Sequence, residues 1–110
     1  MGQKADEKMR VNVLQKKSLA RIKSIHKISR LYNKKLKNNH KKRILGLMRE
    51  HIEEITKLSN RNNKHYLTET GDLIILCFEL LLENNVSINK VLLKCFKRYE
   101  TKLPILIKEN

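Results

Sequence analysis

Seven carboxylates in the second half of the chain carry the first chemical signal. Glu50, Glu53 and Glu54 fall within about one helical turn of each other, so on a helix they form an acidic stripe. Glu69 and Asp72 stand one turn apart further on, and Glu79 and Glu83 continue the same side of that segment. Asp72 and Glu79 border or interrupt LIILCFELLL, the most apolar stretch of the sequence. A carboxylate on a buried helix is costly unless it is paired or ligates a metal. Oxygen donors from two facing helices suit Mg²⁺, a hard ion that prefers carboxylates and keeps several waters. Such an ion holds nucleotide phosphates and activates a water for attack on them. A plainer reading is also open. Glu50, Glu53 and Glu54 then line a solvated helix face, and Glu69 and Asp72 complement the positive end of a helix dipole.

The elements that must position these groups are helical. Val11, Leu14, Ile22, Ile25, Ile28, Tyr32 and Leu36 recur at helical spacing, which predicts a basic amphipathic helix from about Met9 to Lys37. Asn38-Asn39-His40 breaks it. A second helix is expected from about Lys41 to Leu58, with Ile44, Leu47, Met48, Ile52, Ile55 and Leu58 on its apolar side. Ser59 to Tyr66 is polar and Asn-rich, hence a loop. Thr68 is a good N-cap for a third helix reaching Glu83; its middle is apolar all round and needs more than one neighbour. Asn84-Asn85 closes it. Ser87 can cap a fourth helix, expected to run from Ile88 to about Thr101 and stop before Pro104, with the tail ILIKEN apolar enough to dock. The second and third helices, joined by a short loop, should pack antiparallel.

Length and composition agree. The chain has 110 residues, one Pro, three Gly and 5% aromatics. That supports one domain, and sandwiches and barrels lack the turn signals they need. The expected fold is all-α: four main helices in an antiparallel bundle-like arrangement, completed by self-association. Residues 1–8 read as a frayed start and 9–110 as one helical domain, with a basic region over 9–43 and a core over 44–104. The apolar run Leu73 to Phe78 is far short of the roughly 20 residues that span a bilayer. With no apolar leader visible, the expectation is a cytoplasmic protein that does not enter the membrane. Cys77 and Cys95 have no CxxC partner and are expected as buried free thiols.

Charge is divided unevenly. Up to Met48 there are 15 Lys and Arg against Asp6 and Glu7, while from Arg49 onward 10 Lys and Arg meet nine acids. The basic half attracts phosphate, in nucleic acid or nucleotides, or else is a solvated helix face. Tyr32 is its one aromatic able to stack on a base.

The spacing Glu50-x-x-Glu53, followed by Glu69-x-x-Asp72, resembles the signature of MazG-like nucleotide pyrophosphohydrolases. The stretch ETGDLIILCFELLLENNVSINKVLLKCFKRYETKLP is similar to that family further: an acidic pair with Gly-Asp, a long apolar helix, a short turn, then a helix ending in a Lys-rich Arg-Tyr segment. The resemblance covers roughly Leu45 to Pro104. It implies an all-α homodimer or homotetramer that hydrolyses nucleoside triphosphates to monophosphate and pyrophosphate with Mg²⁺. Glu50, Glu53, Glu69 and Asp72 fall on the metal-binding positions, with Glu53 and Asp72 central to catalysis. Lys94 and Arg98, one turn apart on the fourth helix, fall near phosphate-contacting positions, and Lys97 is a further candidate. Arg49 stands where the family has its first Glu, with Glu54 offering a carboxylate on the other side.

Other chemistry is poorly supplied. His51 borders the acidic stripe but reads as exposed, and His26, His40 and His65 lie in different elements without ligand spacing. Ser18, Ser24 and Ser29 have no base at a recognisable spacing, and Gly2, Gly46 and Gly71 are isolated, so no phosphate-cradling loop exists. The sequence leaves two alternatives to the enzyme: a small basic helical protein that binds nucleic acid through its N-terminal half, or an inactive MazG-like relative acting as an interaction module.

Overall fold

A computed structural model describes residues 14–110 and contains four helices: α1 (Lys16–Lys35), α2 (His40–Asn60), α3 (Tyr66–Glu83) and α4 (Ile88–Glu109). No strand occurs among the described residues. The fold is all-α and bundle-like, as the periodicity predicts. The expected frayed start and the opening of the first helix from Met9, including Val11, lie outside the described residues.

Asparagines punctuate the chain. At the end of α1 the backbone turns through Lys37 at φ 59°, and Asn38 N–H bonds back to the Asn33 carbonyl at 2.9 Å. The end of α2 repeats this with Asn62 at φ 55° and a 2.9 Å bond from Asn63 N–H to the Leu58 carbonyl; Asn85, also at φ 55°, closes α3. Asn tolerates the left-handed region better than most residues, so these Asn-rich joints are where helices stop. Two caps satisfy the next helix starts. Asn39 Oδ1 accepts from Lys42 N–H at 3.0 Å, and Ser87 Oγ accepts from Lys90 N–H at 3.3 Å.

Two boundaries differ from expectation. Thr68 does not cap α3, which begins two residues earlier. Asn63 Oδ1 accepts from His65 N–H at 3.0 Å, and the Leu67 N–H to Lys64 carbonyl bond starts the turn before Thr68 is reached. Nor does Pro104 end α4, which continues to Glu109. Pro104 removes the N–H that would meet the Glu100 carbonyl, but both residues are exposed there and water can serve that carbonyl.

The central element is α3. It packs against α1, α2 and α4, with α2 as its main neighbour, though Ile74 within its apolar run stays 50% exposed. Ile22, Ile44, Leu76 and Ile88 form the buried apolar core, with Ile44 the most enclosed at 1% exposure. The helix α4 touches α3 alone among the helices, and the ILIKEN tail is exposed rather than docked. The radius of gyration, 17.3 Å, exceeds the roughly 13 Å of a compact domain of about 100 residues, consistent with α4 projecting from the bundle. No helix among the described residues is long and apolar enough to cross a membrane.

The orientation of α1 corrects the sequence reading. Ile25, Ile28, Tyr32 and Leu36 are exposed, and the inward stripe is Leu19, Ile22, His26, Ser29 and Asn33. These five follow the same helical period as the apolar set, rotated around the helix. Three of the five inward residues are polar, so counting apolar residues selects the neighbouring face.

Candidate functional site

That polar stripe meets the carboxylates of α3. His26 and Asn33 are buried at 9% and 4% exposure, and Glu79, the acid in the apolar run, is buried at 4%. The α1–α2 joint delivers His40 to the same place, at the first position of α2. His26 Nε2 stands 3.3 Å from Glu83 Oε2, His40 Nε2 stands 3.6 Å from the same oxygen, and His26 Nδ1 stands 3.6 Å from Glu79 Oε1. The two imidazole rings are 5.3 Å apart, centre to centre. Asn33 Nδ2 lies 2.8 Å from His40 Nδ1, and Arg30 Nε lies 3.8 Å from Glu83 Oε2. Above this cluster runs a groove of about 540 Å³ whose lining includes Lys23, Lys27, Arg30 and Lys34.

A second centre lies at the opposite end of α3. His51 of α2 bonds through Nδ1 to Glu69 Oε2 at 2.6 Å, and Asp72 joins them, with one ligand atom from each residue within 4.8 Å of the others. The antiparallel packing of α2 on α3 brings these groups together, with His51 rather than the expected Glu50 and Glu53 meeting Glu69 and Asp72. His51 is half-buried and engaged rather than exposed and idle. Glu50 and Glu53 are exposed on the flanking turns of α2 and lie outside this grouping; Glu54 is half-buried. Lys94, Lys97 and Arg98 are exposed on α4, and Lys94 lines a shallow depression with Val86, Ser87, Lys90 and Val91. No helix contact links α4 to α2, so one chain does not gather these cations with the α2 carboxylates by packing.

Sequence reasoning missed the first centre. Its histidines were set aside because they lie in different elements, and only the fold joins positions 26, 40, 79 and 83. The available signal was Glu79, whose burial in an apolar run demanded a partner that the sequence could not name. The cysteines are free, as expected, but half-buried, and burial pushes the Cys77 thiol above its ordinary value.

Compared with protein families, curated proteins and solved structures, this chain finds no match.

Proposed function

We propose that this chain is a Mg²⁺-dependent nucleoside triphosphate pyrophosphohydrolase of the MazG-like kind, with its reaction centre where α2 meets the start of α3. The observation that carries the reading is the convergence of Glu69 and Asp72 with His51 across the two helices. Carboxylate oxygens are the donors a hard divalent ion takes, and the His51 bond occupies one Glu69 oxygen and leaves the other to offer. Glu50 and Glu53 are exposed on α2 outside that grouping, so their part in holding the ion rests on the MazG-like resemblance. In this reading Glu50, Glu53, Glu69 and Asp72 hold the ion, and Glu53 and Asp72 are the catalytic pair.

The reaction is hydrolysis at the α-phosphorus. A water oxygen bonds to that phosphorus, the bond to the α,β-bridging oxygen breaks, and pyrophosphate departs with its electron pair. Mg²⁺, when bound, supplies charge neutralisation for the phosphates and acidifies the attacking water. The chain's own carboxylates orient the water and take its proton. Lys94 and Arg98 bind phosphate in this scheme. Because α4 projects from the bundle, a second copy in a homodimer or homotetramer is the route by which they reach a reaction centre.

Pyrophosphate release from a panel of NTPs and dNTPs, with Mg²⁺ and with EDTA, tests the reading. Metal-dependent release should disappear in Asp72→Asn and in Glu53→Gln with helicity retained. Full turnover in either variant overturns the site.

A second reading has its own observation. Lys23, Lys27, Arg30 and Lys34 line one groove on α1, a continuous cationic track suited to the phosphates of nucleic acid. Binding through that track should weaken steeply as salt rises and fall further in Lys27→Gln with Lys34→Gln. Salt-independent binding removes this reading.

A further inference from the structure

Buried polar atoms in folded proteins nearly always have a hydrogen-bond partner. Here four side-chain atoms are buried without one: His26 Nδ1, His40 Nε2, Glu79 Oε1 and Glu83 Oε2. All four belong to the cluster between α1, the start of α2 and the second half of α3. The Glu79 side chain is more than nine-tenths buried, and that of His26 is 11% exposed. Separate lapses in four neighbouring groups are a poor explanation.

Direct ion pairing is a poor explanation as well. A charge-assisted N–H to carboxylate bond closes to about 2.7–2.9 Å. The same molecule shows what a His–Glu hydrogen bond looks like, at 2.6 Å between His51 and Glu69. The His26–Glu83 and His40–Glu83 separations of 3.3 and 3.6 Å are longer, and too long for that bond. The first matches another geometry and the second lies just outside it. Ligand atoms about 2.0–2.1 Å from a tetrahedral Zn²⁺ stand about 3.3–3.4 Å from one another.

We propose that His26 Nε2, His40 Nε2 and Glu83 Oε2 are three ligands of one divalent transition-metal ion, of which Zn²⁺ is the representative. One ligand atom from each of these residues lies within 4.8 Å of the other two. Two imidazoles and a carboxylate favour borderline ions of the Zn²⁺ type over Mg²⁺. Two further groups orient the rings from outside. Glu79 Oε1 stands 3.6 Å from His26 Nδ1 and is the carboxylate oxygen facing it; closing that gap would give an Nδ1–H its acceptor and leave the Nε2 lone pair for the ion. Asn33 holds His40 from its Nδ1 side, with Nδ2 at 2.8 Å; giving Nε2 to the metal protonates Nδ1, and the amide then turns over so that its oxygen accepts from that N–H. The fourth position opens toward the groove lined by Lys23, Lys27 and Lys34, where it takes water or a small anion. This centre shares no residue with the proposed hydrolytic one, so each stands or falls separately.

Zn²⁺ and Co²⁺ binding to metal-free full-length protein tests the proposal. The wild type should take up one equivalent of Zn²⁺ at this centre, and Co²⁺ should give the intense visible absorption of a tetrahedral site. His40→Gln and Glu83→Gln should abolish both, Glu79→Gln should weaken affinity about 10–100-fold, and Asp72→Asn should leave both intact. X-ray absorption on the zinc-loaded wild type needs no variant and should count two imidazoles. Folded wild type that binds neither metal overturns the proposal. So does a zinc shell with fewer than two imidazoles, or binding that survives His40→Gln and disappears in Asp72→Asn.

Discussion

His51 Nδ1 and Glu69 Oε2 are joined at 2.6 Å, which ties the middle of α2 to the opening turn of α3. The bond holds Glu69 beside Asp72 while leaving the neighbouring Glu50 and Glu53 free of that register. A half-buried hydrogen bond of this kind contributes about 0.5–1.5 kcal/mol net. His51→Ala and Glu69→Ala should each destabilise the fold by about that amount in urea unfolding, and the double variant should cost less than their sum. Glu50→Gln, on the exposed side of α2, should change stability by less than about 0.5 kcal/mol. Strict additivity of the two alanine variants would show that the pair does not couple the helices.

Stability elsewhere in α2 separates packing from propensity. Ile44 is the most enclosed side chain, at 1% exposure, and Ile44→Ala should cost about 2–5 kcal/mol through lost burial and the cavity left behind. Two residues on, a Cβ added at Gly46 would meet nothing within 4 Å. Gly46→Ala should therefore stabilise the protein by about 0.5–1 kcal/mol, the backbone-entropy difference in a helix interior. Thermal unfolding of both variants gives opposite signs if the register of α2 is right.

The Cys77 thiol is half-buried on α3 and burial raises its pKa above that of a free thiol, because desolvation penalises the thiolate. Less thiolate at neutral pH means slower alkylation than a free thiol shows, with the rate still climbing where a free thiol has levelled off. The linkage has a sign too. A raised folded-state pKa favours the folded chain below the unfolded thiol's pKa, and this contribution is lost as pH rises through the folded value. Peptide mapping after iodoacetamide at pH 7, 8 and 9 checks it. Alkylation of Cys77 at the free-thiol rate at pH 7 would contradict its burial.

Much of the helical layout was legible because Asn-rich joints and apolar periods are local signals. Asn39, Asn62, Asn85 and Ser87 act where the sequence puts breaks and caps. The antiparallel meeting of α2 and α3 followed from their short loop. What the sequence hid was rotational. The inward face of α1 is built on His26, Ser29 and Asn33, which no count of apolar residues selects. The metal-type cluster was hidden for a related reason. Four residues drawn from three helices have no spacing to read, and only Glu79, too costly to bury alone, betrayed them. Lys94 and Arg98 are a different case, since their place in the chain was plain but their distance from the α2 carboxylates depends on where α4 goes.

The course of α4 leads to the last prediction. Phe96, Tyr99, Leu103, Ile105, Leu106 and Ile107 are between 47% and 75% exposed, and only the start of the helix has a buried anchor, Ile88. An isolated helical segment of this length is marginal in water, and Pro104 weakens it further, so the outer turns of α4 need a covering surface to persist. The apolar residues left open on α1, among them Ile28, Leu31 and Tyr32, are the same kind of surface. Two copies that lay α4 of one chain along the open face of the other would cover both and carry Lys94 and Arg98 across to a partner. Sedimentation should therefore find a dimer or larger assembly, and Leu103→Glu with Leu106→Glu should shift it to monomer with a loss of helicity from the outer turns. A wild-type monomer that keeps α4 fully helical would sink the shared-site arrangement.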